Sequence, residues 1–229
     1  PPAAPTMAAP SPAWCSAAIH RVEQDGHEWF TDFAPPPGTD RRAAVLMLFG
    51  PDPAGGEQVV LTERSHSLRA HPGQVSFPGG RVDDSDEHTV AAALREAEEE
   101  VGVDPSTVSV VHAFPELYLS PSRNAVTPVL GWWAAPVRLE AVSRTEVERV
   151  VQVPVRDLLD PANRFTAVFG PYRGPGFEVD DLFVWGFTAT LLSVLFELGG
   201  IARPWDVERE RPLPDRVMSP WMRGLDGEG

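Results

Sequence analysis

Apolar and β-branched residues recur in short runs along this chain, and glycine or proline marks where each run stops. Residues 43–50, AAVLMLFG, and residues 57–63, EQVVLTE, are two such runs separated by PDPAGG, which predicts a hairpin at the start of a mixed or antiparallel sheet. Residues 107–114 (TVSVVHAF), 127–137 (TPVLGWWAAPV) and 147–155 (VERVVQVPV) read as further strands, so the sheet has at least five members. DLLDP reads as a helical turn and TAVFG as a short strand. The pattern changes at HTVAAALREAEEEVG, whose Ala, Leu and Glu content favours helix, with Gly102 as its stop and Asp86 or Ser85 placed to cap its start. Residues 184–198 predict a second long helix. Strands broken by two widely separated helices give an α+β or α/β sandwich in which helices cover a mixed sheet. No repeat of fixed period is present, which argues against a solenoid.

Composition then sets limits on this picture. At 229 residues the chain is long enough for one sizeable core, and no shift in its middle divides it in two. Many of the 25 prolines sit in PPAAPTMAAPSPAW, APPPG and ARPWDVERERPLPDR, where extended chain is expected. The expected organisation is a Pro/Ala-rich N-terminal extension at 1–38, a folded domain at 39–202 and a Pro/charged tail at 203–229. Residues 182–201, LFVWGFTATLLSVLFELGGI, are the one membrane candidate, but Glu197, the Gly199-Gly200 ending and the absence of basic flanks favour a buried amphipathic helix. The net charge of −14 argues against nucleic-acid or anionic-membrane partners. A small anionic substrate is still accessible, because screening over about 8 Å lets a metal ion and local arginines override the distant acidic surface. The single cysteine, Cys15, can form no internal disulfide, and the N-terminal stretch lacks the basic start and apolar run of a signal peptide, so a reducing compartment, the cytoplasm, is expected. A homodimer is an open option.

The chemistry is concentrated in residues 77–103, FPGGRVDDSDEHTVAAALREAEEEVGV. Glu96 lies three and four residues before Glu99 and Glu100, so these carboxylates share a helix face while Glu98 points away. Like charges at that spacing oppose helix formation by a few tenths of a kcal/mol per pair, and a bound divalent cation would offset them. Oxygen-only ligands favour a hard ion, Mg²⁺ or Mn²⁺, over zinc. Arg95, four residues before Glu99, is placed to hold a carboxylate, and Gly79-Gly80 allows a main-chain carbonyl to approach the metal.

Glu87, seven residues, Arg95-Glu96, Glu99-Glu100, Gly102 and Val103 together resemble the Nudix box. Two positions depart from it. Six residues rather than five separate Gly80 from Glu87, which leaves open whether Gly79, the first choice, or Gly80 offers its carbonyl, and Ala97 stands where a larger aliphatic residue is usual. The resemblance implies the Nudix α/β/α sandwich, with a mixed β-sheet between helices, and hydrolysis of a nucleoside diphosphate linked to another group. It carries the metal ligands onto Glu96, Glu99 and Glu100, with Glu96 and Glu100 favoured because they lie one turn apart, and it prefers Glu87 over Asp86 for the helix start. The base varies within the family; Glu146, which opens EVERVVQVPV, is the first candidate, with Glu148 and Glu116 behind it.

Residues 60–80, VLTERSHSLRAHPGQVSFPGG, resemble the signature of the coenzyme A pyrophosphatase subgroup: Leu61, Thr62, Arg64, Ser65, Arg69, Gly73, Phe77, Pro78, Gly79 and Gly80 fall at its places, with Val60 where Leu is more usual. Coenzyme A carries a 3′-phosphate besides its diphosphate, and Arg64 and Arg69 suit bidentate contact with phosphate oxygens. The implied substrate is coenzyme A or an acyl-CoA, cut to adenosine 3′,5′-bisphosphate and 4′-phosphopantetheine, with Arg64, Arg69, Ser65, Gly73 and Phe77 as its binding residues. The rivals are the same chemistry on ADP-ribose, NADH or another dinucleotide, and a Nudix-like module that binds a nucleotide without cutting it. His66 and His71 flank the same loop without a second ligand at metal spacing and read as surface residues.

Overall fold

The structure, a computed structural model, describes residues 10–25, 28–65, 73–119, 122–215 and 217–218. It begins with helices α1 (Ala13–Asp25) and α2 (Glu28–Asp32), followed by strands β1 (Arg42–Pro51), β2 (Glu57–Arg64), β3 (Val75–Ser76) and β4 (Gly79–Arg81). Helix α3 (Thr89–Val101) leads into β5 (Ser109–Ala113), β6 (Leu117–Leu119), β7 (Asn124–Trp132), β8 (Val147–Pro154) and the short α4 (Val155–Leu158). Strands β9 (Arg164–Phe169), β10 (Tyr172–Val179) and β11 (Leu182–Val184) precede α5 (Gly186–Gly199) and β12 (Glu210–Pro212).

The first eight strands form one mixed sheet, ordered β3-β2-β1-β7-β5, with β4 on β1, β6 on β7 and β8 on β2. The β1–β2 hairpin is closed by the predicted PDPAGG turn, where Asp52 N–H donates to Gly56 O (2.9 Å) and Gly55 N–H to Asp52 O (2.8 Å). Strand β1 runs parallel to β7, and its alternation sorts the core into two layers. Ala44, Leu46 and Leu48 pack with α3 through Ala92, Ala93, Ala97 and Val101, whereas Met47 and Phe49 face α1 and α5. Ala97 is fully buried in the first layer, so the small residue at a usually larger position belongs to a close helix–sheet approach. Each large side chain buried here contributes about 1.5–3 kcal/mol.

A second sheet, ordered β11-β10-β9-β12, was not expected from the sequence, nor was helix α1. Trp14, Ala18 and Val22, four residues apart, are buried, and Trp14 meets Phe49 edge-on at 5.1 Å and Phe196 at 6.1 Å. A helical stripe thus lies within residues 1–38, the segment expected as a Pro/Ala-rich extension; Pro10 and Pro12 fall before the helix, where they break no bond. The C-terminal stretch is likewise structured: β12 pairs in parallel with β9, and Leu213 and Val217 are buried with Phe165 and Phe183. Helix α5 has 14 residues and lies in the core, and no described helix is long and apolar enough to cross a membrane.

Candidate active site

Helix α3 positions most of the predicted chemistry. Its N-cap is His88, whose Nδ1 accepts from Ala91 N–H (3.0 Å), and its C-cap is Gly102 at φ 73°, whose N–H donates to Glu98 O (2.9 Å). Neither Asp86 nor Ser85 caps the helix. Asp86 instead receives Arg95 in a two-pronged contact, Nε and Nη2 each donating at 3.0 Å. The same guanidinium donates to Arg81 O (3.0 Å) and through Nη1 to Glu96 and Glu99 (3.1 Å each). These hydrogen bonds from Arg95 hold the Asp86 carboxyl below the usual range, and Asp86 in turn raises the pKa of Arg95. Glu87, preferred on spacing, is exposed. The extra residue between Gly80 and the helix therefore moves the anchoring acid back by one, to Asp86.

Strand β4 brings two glycines against this helix. Leu46 N–H donates to Pro78 O (2.8 Å) and Val82 N–H to Arg42 O (3.0 Å), with Gly80 opposite Ala44. In that antiparallel register Gly80 occupies the paired position, and Gly79 turns its main-chain groups away from β1. Its N–H donates to Glu100 Oε2 (3.1 Å), and its carbonyl shares that outward side, which favours Gly79 over Gly80 as the free carbonyl. A Cβ on Gly79 would stand 2.3 Å from Ala44 O, and one on Gly80 2.6 Å from the Glu96 carboxylate.

Burial pushes the Glu100 carboxyl up from an ordinary 4.5 to about 7; the Gly79 N–H and Arg64 oppose the rise, and Glu96 and Glu146 add to it. Burial also raises Glu96, against the pull of Arg95 and with a push from Glu99 and Glu146. Glu96, Glu100, Glu146 and Arg64 therefore form one electrostatic neighbourhood. Ser65 N–H reinforces it by donating to Glu146 O at 2.8 Å.

The family profile of the NUDIX domain matches residues 39–171, more than half of the chain. The chain belongs to the Nudix family. NudL of Escherichia coli (strain SMS-3-5 / SECEC), an uncharacterized Nudix hydrolase, is 41% identical over 160 residues, covering 68% of this chain and 81% of the relative. NudL of Shigella flexneri serotype 5b (strain 8401), also uncharacterized, is 40% identical over 164 residues, covering 69% and 83%. The crystal structure of a Nudix hydrolase from M. Smegmatis, RenU, covers 72% of this chain and 89% of its own at 21% identity and a TM-score of 0.51, a likeness of fold. The chain is thus a Nudix hydrolase, an enzyme acting on nucleoside diphosphate-linked substrates, and Nudix hydrolases generally use divalent ions such as Mg²⁺ or Mn²⁺.

The donor set fits such an ion. A buried carboxylate, Glu100, and a half-buried one, Glu96, both destabilised as anions, flank a glycine strand with an outward carbonyl, and a hard cation is the partner that would relieve them. Among the described residues no three His, Cys, Asp or Glu side chains already enclose a metal; Glu99, with its side chain 58% exposed, shares Arg95 Nη1 with Glu96.

The other predicted residues are divided. Arg64 and Ser65 lie at the end of β2, and Gly73 (φ 69°) donates its N–H to Arg64 O at 3.0 Å. Phe77 is buried in the core beneath the site rather than open to a ligand. Glu116 pairs with Arg42 at 3.5 Å, and Glu148 is exposed. Arg69, His66 and His71 lie outside the described residues.

A stability prediction follows from Glu100. Its folded-state pKa of about 7 lies above the ordinary 4.5, so between those values the folded chain holds the extra proton. Stability is then highest below 4.5 as far as this group is concerned and falls as pH rises through 7, by about 3 kcal/mol in all. Thermal melting of metal-free protein should show this decline between pH 5 and 8, and saturating Mg²⁺ should flatten it. An unchanged melting temperature over that range without metal would contradict the buried carboxylate.

Proposed function

We propose that the chain cleaves the diphosphate of coenzyme A or an acyl-CoA, giving adenosine 3′,5′-bisphosphate and 4′-phosphopantetheine or its acyl form. The observation that carries this reading is the electrostatic coupling of the signature loop to the acidic helix: the charge of Arg64 acts on Glu100, and Ser65 N–H holds the backbone of Glu146, whose charge acts on the same carboxylate. Signature loop and Nudix box thereby line one site.

In this reading Glu96 and Glu100, joined by Glu99 and the Gly79 carbonyl, hold Mg²⁺ or Mn²⁺. Such an ion, when bound there, would supply positive charge against the diphosphate and the departing oxygen. Glu146, exposed and within electrostatic reach of Glu96 and Glu100, accepts the proton of the attacking water. One P–O bond forms to water oxygen, and the bridging P–O bond breaks. Arg95 holds Glu96 and Glu99 in position, and Asp86 fixes Arg95. Arg64 and Arg69 bind substrate phosphates, with Ser65 and Gly73 beside them and Phe77 behind in the core. The unpaired, buried Cys15 suits a reducing compartment such as the cytoplasm.

The test is a panel of coenzyme A, dephospho-CoA, ADP-ribose and NADH with Mg²⁺, products identified by mass. Coenzyme A is expected to be cut with the highest kcat/KM, and dephospho-CoA about tenfold or more less well, since it lacks a phosphate paired by a charge-assisted contact. Preferential cleavage of ADP-ribose or NADH would reassign the substrate and leave the chemistry in place. No cleavage of any member, with binding retained, would point to a nucleotide-binding module.

A further inference from the structure

Arg64 ends β2 and Glu146 stands just ahead of β8, both close enough for their charges to act on Glu100 of α3, and the pairing of these strands is irregular at that point. Gln58 to Glu63 pair one-to-one with Pro154 to Arg149, but Arg64 then lies opposite Val147, so Glu148 is an extra residue on β8. Such a bulge bends the strand and re-aims the side chains beside it. The backbone around it is tied on every side: Arg64 N–H donates to Gln74 O (2.9 Å), Gly73 N–H to Arg64 O (3.0 Å) and Ser65 N–H to Glu146 O (2.8 Å).

One side chain spans the last regular step before the irregularity. Arg149 Nε donates to Glu63 Oε2 at 2.6 Å, across the β2–β8 pair, and Nη1 donates to Asp181 Oδ1 at 3.0 Å, in the turn between β10 and β11 of the second sheet. Alternation along β2 sends Leu61 and Glu63 to the face opposite α3, while Val60 packs on the α3 side. Arg149 therefore holds, from behind, the residue adjacent to Arg64. Asp181 also lines a small space of about 10 Å³ together with Glu63, Gly73 and Val75, so the second sheet abuts the signature loop at this place.

We infer that Arg149 is a positioning residue for phosphate recognition: by fixing Glu63 to the second sheet it holds the bulge in the form that points Arg64 at the acidic helix and sets Glu146 beside it. This rests on the proposed part of Arg64 in binding substrate, and it assigns the second sheet a task in the active site. The outer half of this bridge adds little to the fold, because Arg149 is 37% and Asp181 73% exposed and ion pairs of that exposure contribute little to stability, whereas Glu63 is sheltered at 17%.

The experiment is a double-mutant cycle of Arg149→Met and Arg64→Ala, read as kcat and KM on the best-cleaved diphosphate of the panel, with Asp181→Asn and Arg149→Lys alongside. Arg149→Met is expected to raise KM about tenfold with kcat reduced less, to keep its melting temperature within a few degrees, and to have almost no further effect once Arg64 is gone. Arg149→Lys, which keeps one charged contact, should recover part of the loss, and Asp181→Asn should reproduce part of it. Full additivity in the cycle, or an unchanged KM in Arg149→Met while Arg64→Ala is impaired, would overturn the inference. A normal KM in Arg64→Ala would instead remove Arg64 from the binding site, which is a separate failure. If Arg149→Met does not fold, the cycle is completed with Asp181→Asn, judged by the same criteria.

Discussion

Glu100→Gln is expected to fold normally and to lose hydrolysis by about a thousandfold at saturating Mg²⁺, the scale on which loss of one preorganised electrostatic contact is felt. The fold survives because glutamine has the same shape and its carbonyl oxygen can still accept the Gly79 N–H that now meets Glu100 Oε2 at 3.1 Å. It also removes a buried anion whose carboxyl burial has pushed up to about 7, so the metal-free variant should melt no lower than the parent at pH 8 and should lose the pH-dependent decline. Activity falls because an amide oxygen neutralises a divalent cation far less than a carboxylate does. Glu99→Gln is the comparison: Glu99 is exposed and held by Arg95, and its loss should be milder. Activity at saturating Mg²⁺ with parallel melting curves reads both, and near-normal turnover in Glu100→Gln would discard Glu100 as a metal ligand.

The adjacent glycines are expected to fail in opposite ways. In Gly79→Ala the new Cβ would lie 2.3 Å from Ala44 O and 2.6 Å from Val45 Cα, both main-chain atoms of the central strand that cannot swing aside. Overpacking against backbone costs about 3 kcal/mol or more, which for a chain of this size lowers the melting temperature by roughly 6–12 °C. In Gly80→Ala the Cβ meets only the Glu96 carboxylate, at 2.6 Å, which can move at the end of its side chain. That variant should keep most of its stability and lose most of its activity, because Glu96 is displaced from Glu100. Calorimetry and turnover on the pair separate the effects, and equal melting temperatures for the two would refute the close approach of β4 to β1.

What could be read in advance depended on how local the signal was. The β1–β2 hairpin and α3 were legible because runs of one period ended at strong turn residues, PDPAGG and Gly102. Helix α1 was hidden by composition, since alanine and proline masked the spacing of Trp14, Ala18 and Val22. His88 was missed as a cap because histidine seldom serves as one, and Asp86 because counting back from Arg95 selected Glu87. The crowding of Glu96 and Glu100 and the contact of Arg95 with Glu99 four residues on were visible in helical spacing, whereas the sharing of the same guanidinium with Asp86 and Glu96 depended on which rotamers the neighbouring contacts select. The approach of Glu146 to the acidic helix arises from β2–β8 pairing between residues far apart in sequence, which no local pattern encodes. Its position ahead of an apolar run was the only available sign.

The order in which partners are made along the chain has a further consequence. Strand β1 awaits β7, the face of α1 awaits α5, and β9 is flanked on its outer side only when β12 arrives. During synthesis the first helix therefore leaves the ribosome well before the surface that shelters Trp14 and Cys15, and the chain should acquire protease resistance late, in a slow step governed by these distant pairings.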